Sequence, residues 1–231
     1  NVKKRKKTKP VKNHVKIIDL LRHSAGLNFK GPDDYRKVID LSLEEYTKES
    51  IKSPLKFEPG TTWWYSYATD ICGYLIEVLS QEKLDVFLKS RIFGPLEMND
   101  TFFELPNSKL DRLTTLYVVD ENKELVSFDN KTNTPFKDKV ILLNGSGGLL
   151  STTDDYLKFS FMLLNNGLYN EKQIIKKETL DLMKEDHSLG LKYKKLAFGK
   201  KKGFGLGFEV VKEDGTKFGS KGTFGWGGMF G

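Results

Sequence analysis

The chain has 231 residues, 38% of them hydrophobic, and a mean hydropathy of −0.45, enough for a real core in one large domain or two small ones. No run reaches the ~18 apolar residues of a membrane span, and no charged-then-apolar leader precedes Ile17. The formal charge of +7 is local: seven lysines and arginines and no acid fall within the first twelve residues, and the remaining 31 basic side chains match 31 acidic ones. This argues against a nucleic-acid-binding surface and for a basic, flexible segment over residues 1–16.

Taken in order, Ile17, Leu20 and Leu21 form one face of a short helix expected to stop at Gly26, which suits a left-handed cap. His23 falls in its last turn, as a capping or supporting histidine that suits a helix C-terminus in preference to a catalytic one. Gly31-Pro32-Asp33-Asp34 breaks the chain before a helical pattern through Val38, Leu41 and Leu43. Pro59-Gly60 predicts a turn. In the helix that follows, Ile71, Tyr74, Leu75 and Val78 recur at i, i+3, i+4 and i+7, and Ala68, Cys72 and Leu79 widen the stripe. Tyr65 therefore stands at a loop-to-helix junction, as a core aromatic among Trp63, Trp64 and Tyr67 or as a positioned functional group. Cys72, the only cysteine, reads as a small core residue; it excludes an intrachain disulfide, and His14, His23 and His187 lack ligand spacing, so no metal is expected.

Leu84, Phe87, Leu88 and Ile92 continue a helical period up to Gly94-Pro95. Leu116–Val119 and Leu125–Phe128 predict a hairpin, and residues 130–139 a polar loop. Gly145-Ser146-Gly147-Gly148 leads into Ser151-Thr152-Thr153-Asp154-Asp155, a capping-box-like start for a helix through Leu157, Phe161 and Leu164 that Gly167 closes. No Gly-Lys-Ser/Thr follows, which disfavours a phosphate loop. A helix through Leu180 and Met183 precedes a lysine-rich loop, Lys192 to Lys202. Phe204, Leu206, Phe208 and Val210 then alternate as a strand, and Thr223 to Met229 reads as a second strand whose glycines let a ligand approach the backbone.

Several motifs recur in a fixed order. They are Asp19-Leu20-Leu21-Arg22-His23-Ser24-Ala25-Gly26-Leu27, Phe57-Glu58-Pro59-Gly60 with Trp63-Trp64-Tyr65-Ser66-Tyr67-Ala68, and Arg91 to Thr101 around Gly94-Pro95-Leu96. Gly147-Gly148-Leu149-Leu150-Ser151-Thr152 and Gly225-Trp226-Gly227-Gly228 complete the set. With this order and spacing the chain resembles the serine β-lactamase and penicillin-binding-protein-like superfamily, in particular its class C-like branch with the family VIII carboxylesterases, over about Ile17 to Gly231. The resemblance implies an α/β (α+β) fold of the β-lactamase/transpeptidase type, an antiparallel sheet flanked by helices plus a mostly helical region. The helical part would cover about 17–165 and the sheet-forming part about 203–231, with the domain incomplete at both ends.

It also implies a chemistry. Acyl transfer by serine needs a nucleophile, a group to take its proton, and donors for the oxyanion. The resemblance carries the proton-transfer role to Tyr65 and the glycine-rich third motif to Trp226, Gly227 and Gly228, with the Met229 backbone N–H as oxyanion donor. Tyr67 takes the substrate-binding place where β-lactamases have asparagine. The Ser-x-x-Lys motif has no bearer where the family places it, so serine and lysine are expected upstream of the chain. The one literal match, Ser53-Pro54-Leu55-Lys56, leads into a turn and reads as a decoy. Tyr67 and the Trp-Gly-Gly in place of Lys-Thr-Gly favour small esters or amides over β-lactams, with no cofactor. A truncated or noncatalytic relative that binds a ligand or partner is the alternative. No Gly-x-Ser-x-Gly elbow is present.

Overall fold

The computed structural model describes residues 8–28, 40–193 and 197–228. An exposed stretch, residues 8–16, leads to α1 (Ile17–Leu21), followed by α2 (Leu43–Ser50), α3 (Ala68–Ser80) and α4 (Leu84–Leu88), which widens into a π-helical turn over Lys89–Phe93. After a 3₁₀ turn (Asn107–Arg112) come the antiparallel pair β1 (Leu116–Val119) and β2 (Leu125–Asp129), then α5 (Thr153–Leu164). The short pair β3 (Leu168–Tyr169) and β4 (Lys172–Gln173) precedes α6 (Lys177–Lys184). Last comes an antiparallel sheet of β5 (Lys202–Phe204), β6 (Glu209–Val211) and β7 (Phe224–Gly225), in the order β5-β6-β7. Among the described residues no helix is long and apolar enough to cross a membrane.

The central helix is where the spacing places it, but its buried face is not the whole predicted stripe. Ala68, Asp70 and Gly73 are buried, whereas Val78 and Leu79 are 46% and 72% exposed. The reason is steric. Gly73 has no side chain, so Leu43, Leu84 and the Gly145 backbone close on it; a Cβ there would lie 3.1 Å from Leu84 Cδ2. Gly145 meets the same crossing from the other side, where a Cβ would stand 2.4 Å from Thr69 O. Two glycines thus press the 144–148 loop onto the first turns of α3. Leu43, Tyr46, Leu84, Phe103 and Leu142 form the core beneath.

Several expectations are corrected. α1 ends at Leu21 rather than Gly26, because His23 itself turns the chain at φ 55°. Gly26, at φ 84°, serves a close approach instead, since a Cβ there would lie 2.5 Å from Phe57 O. Val38 lies outside the described residues, and the helix expected around it begins at Leu43, where Ser42 and Glu45 form a capping box. α5 buries the opposite face from the one expected. Leu157, Phe161 and Leu164 are exposed, while Phe159, Met162 and Leu163 pack on Phe93, Leu96 and Met98. Apolar residues ring this helix, so periodicity leaves its rotation open. Buried Asp155 decides it by accepting from Asp100 N (2.7 Å) and Thr101 Oγ1 (3.0 Å). The run from Phe204 to Val210 is a hairpin, not one strand, because Gly207 takes φ 90° between β5 and β6. Among the described residues, the second expected strand pairs over Phe224–Gly225.

The glycine crossing yields a test. Gly145→Ala should lower stability by about 1–3 kcal/mol through overpacking, a Tm drop of roughly 3–10 °C for a domain of this size. Gly147→Ala, whose Cβ would meet nothing within 4 Å, should leave Tm almost unchanged. Equal Tm values for the two variants would contradict the crossing.

Candidate active site

The site begins at the end of α1. The buried Asp19 carboxylate accepts from Arg22 Nη2 (2.9 Å), Ser24 Oγ (2.8 Å) and Lys16 N (3.1 Å). The segment shaped by this knot then receives the approach to α3. Lys56 N donates to Gly26 O (2.8 Å), Gly60 N to Ser24 O (2.9 Å) and Trp64 N to His23 O (2.9 Å). These bonds deliver Tyr65 to the start of α3. Arg22 also reaches across to His187 O (3.0 Å), and Gly207 N donates to Leu21 O (3.0 Å), so the same segment holds the hairpin of β5 and β6.

Half-buried Tyr65 packs between His23, at a ring separation of 4.7 Å, and Trp226, at 5.7 Å. Trp63, Phe198 and Phe204 extend the cluster, with Phe204 edge-on to Trp226 at 5.1 Å. The lysine-rich loop thus contributes a buried aromatic, Phe198, while its Lys194 and Lys195 lie outside the described residues. Tyr65 is at once a packed aromatic and a wall of an open cleft of about 1030 Å³. Trp226, Gly227 and Gly228 line the same cleft, and a Cβ at Gly227 would meet nothing within 4 Å, so a ligand could approach that backbone. Met229 lies outside the described residues. Tyr67 lines the cleft too, but its hydroxyl donates to Ser50 O (2.7 Å), so its contribution to the lining is the ring.

The lining also includes residues to which the sequence reading gave no site role, Tyr46, Asp70, Asn144, Ser146, Glu209, Val211 and Phe218. Ser146 N donates to Asp70 Oδ1 (2.7 Å). Burial pushes the Asp70 carboxyl up, against the pull of its bonds from Ser146 and Tyr46. The Tyr46 phenol is pushed up to about 12, first by burial and then by Asp70. An acid in the first turn of a mostly apolar helix was the signal for Asp70. Among the described lining residues there is no lysine or arginine.

Other candidates fall elsewhere. Ser53 is exposed and off the cleft, the segment carrying it is not helical, and Lys56 Nζ sits 4.3 Å over the Trp64 ring. His23 is not a cationic cap: burial pulls it down to about 4, which keeps the ring neutral near pH 7. Burial pushes the Cys72 thiol up to about 11, so it stays protonated and packs beside Leu20, Ala25 and Tyr67.

A cleft with a tyrosine at a helix start on one wall and a Trp-Gly-Gly edge beyond an antiparallel sheet on the other defines a β-lactamase/transpeptidase-like fold. The comparisons agree. The Beta-lactamase family profile matches residues 3–231, and the chain belongs to that family. It is 29% identical over 241 residues to Protein Rv1367c of Mycobacterium tuberculosis, covering 97% of this chain and 60% of that protein. To Esterase EstB of Burkholderia gladioli it is 30% identical over 101 residues, 38% of this chain and 26% of the esterase. Among solved structures, EstCE1, a hydrolase with promiscuous acyltransferase activity, superposes with a TM-score of 0.68 at 24% identity, over 86% of this chain and 57% of that one, a likeness of fold. The chain thus spans 60% or less of each of these relatives.

His23 makes the cluster pH-sensitive. Its pKa is about 4 when folded and 6.5 in the reference state, so the unfolded chain takes up the proton first as pH falls. The stabilisation from burying neutral His23 is complete above pH ~6.5 and is lost on acidification toward pH ~4, about 3 kcal/mol in all. Urea unfolding of His23→Phe should show a shallower loss of stability across that window; an unchanged slope would assign it to other groups.

Proposed function

We propose that this chain carries the proton-transfer and oxyanion sides of a β-lactamase-like serine hydrolase that acts on small esters or amides through an acyl-enzyme, with esters favoured over β-lactams. The observation that supports this most is the meeting of Tyr65 with Trp226, Gly227 and Gly228 in one open cleft. In this reading a serine Oγ attacks the substrate carbonyl and Tyr65 Oη receives its proton. Tyr65 then returns the proton to the departing alcohol or amine, and water later cleaves the acyl-serine by the reverse transfer. The Met229 backbone N–H, together with that of the serine, takes the charge developing on the carbonyl oxygen.

The serine and its lysine are assigned to a segment upstream of Asn1, in keeping with relatives longer than this chain. The lysine has a physical task. Phenols ordinarily hold their proton to a pH of about 10, so a phenol acting as base near neutral pH needs a cation beside it, and the described lining offers none. The same lining leaves a β-lactam carboxylate without a counter-charge, which favours a neutral ester. A noncatalytic, ligand-binding relative is the second reading. It is favoured by the cleft's own serines: Ser66 is buried, Ser146 is bonded to Asn144, and neither has a lysine in the described lining.

Two measurements test the hydrolase reading. Residues 1–231 alone should not turn over a p-nitrophenyl ester; turnover abolished by Ser53→Ala would restore the Ser53-x-x-Lys56 pair. In the full-length protein, Tyr65→Phe should lower kcat for a short-chain ester by roughly 10²–10⁴-fold, with KM changed far less. Tyr67→Phe, whose hydroxyl is spent on Ser50 O, should keep the rate. Equal losses of kcat would make Tyr65 a packing residue only.

A further inference from the structure

The reaction above leaves Phe218 unused. Its side chain is 68% exposed, yet it lines the cleft from the sheet side, on the connection of residues 212–223 between β6 and β7. That connection is closed on itself. Lys221 N donates to Asp214 Oδ1 (2.7 Å), Thr216 Oγ1 to Gly219 O (2.8 Å) and Lys201 Nζ to Asp214 O (2.8 Å). Gly219 lets it fold tightly onto Thr223, just before β7, since at φ 136° a Cβ there would stand 2.5 Å from Thr223 Oγ1. The ring is held as well. Lys202 Nζ stands 4.0 Å from its centroid and donates to Glu209 Oε1 (2.7 Å), in an ion pair whose side chains are only 15% and 19% exposed. An ammonium drawn to the face of a ring from a partly desolvated pair fixes the plane of that ring. Phe218 lines the cleft and Lys202 does not, so the cleft is offered an aromatic surface in place of a charge. Val211, Phe224 and Trp226 continue this surface on the same side. A flat partner suits it best: an aryl group adds offset or edge-on ring pairing to the area it buries, whereas an alkyl ring offers area alone.

We propose that Phe218 is a specificity-determining residue of the cleft, whose ring pairs with an aryl group of the substrate. This contact, which rests on the hydrolase reading for its substrate, makes esters or amides that carry an aryl ring bind better than those with a saturated ring of the same size. Lys202 and Glu209 act through Phe218 as positioning residues, one held against the ring and the other holding the first in place.

The test compares phenyl with cyclohexyl ligands in the full-length protein and reads the ratio of the two. Calorimetric Kd values for unreactive phenylacetamide and cyclohexylacetamide report the contact without turnover. Phe218→Leu keeps apolar bulk and removes the ring, and the preference for phenyl should fall about three- to tenfold, the worth of an aromatic pair. Phe218→Trp should keep the preference. Because Phe218 is exposed, both variants should fold. Lys202→Met should lower the preference, and Lys202→Arg, whose guanidinium both stacks on a ring and pairs with a carboxylate, should retain it. An unchanged preference in Phe218→Leu, or an equal fall in Phe218→Leu and Phe218→Trp, would overturn the proposal; an unchanged preference in Lys202→Met would overturn the positioning role. Turnover supplies a second readout. The kcat/KM ratios of ethyl phenylacetate to ethyl cyclohexylacetate and of benzyl acetate to cyclohexylmethyl acetate place the ring on the acyl and on the alcohol side. Phe218→Leu should lower one of these ratios about three- to tenfold, and a fall in neither would overturn the proposal. A wild type that hydrolyses none of these esters, while the amides keep their Phe218-dependent preference, would count against the hydrolase reading alone.

Discussion

The arrangement depends on one buried ion pair. Asp19, 3% exposed, is held by Arg22 and Ser24 at the end of α1, and Arg22 continues to His187 O near the start of the sheet region. Removing Arg22 would leave the buried Asp19 carboxylate without its cation, a loss on the order of 3–5 kcal/mol. The pair matters less for what it adds to stability than for what it shapes. It fixes the carbonyls of His23, Ser24 and Gly26 as acceptors for the approach to α3, and that approach carries Tyr65. Helical and sheet walls of the cleft are thus referred to the same few residues.

Onto this frame are set two environments of opposite character. On one side His23, Trp63, Phe204 and Trp226 surround Tyr65 with rings, and burial keeps His23 uncharged. On the other, Asp70, Tyr46 and the 144–148 loop form a polar floor whose carboxyl is kept in place by hydrogen bonds rather than by a cation. A substrate in the cleft would have aromatic surface for its apolar part and oriented polar groups for its carbonyls, a combination usual for small-molecule sites.

Much of this was legible in the sequence, for identifiable reasons. The spacing of Ile71, Tyr74 and Leu75, and the motif residues around Tyr65 and Trp226, located the central helix and both walls of the cleft. What escaped was set by contacts that leave little periodic trace. The rotation of α5 follows from a carboxylate, Asp155, reaching back to Asp100 and Thr101, while apolar side chains on all sides gave a misleading face. The hairpin of β5 and β6 hangs on the positive φ of Gly207, hidden in an alternation that also fits one strand. Asp70 and Asn144 stood beside motifs already singled out, yet it takes the bond from Ser146 N to Asp70 and the approach of Gly73 to Gly145 to show that they share a site.

The cleft edged by Tyr65 and Trp226 is proposed to serve a nucleophilic serine. This role is tested most directly by treating the full-length protein with a fluorophosphonate and locating the adduct by intact and peptide mass spectrometry. A single phosphonylated serine in an upstream Ser-x-x-Lys segment is expected, with labelling slowed by a competing short-chain ester. No adduct under conditions that label a known serine esterase, or an adduct on a serine of residues 1–231, would contradict it.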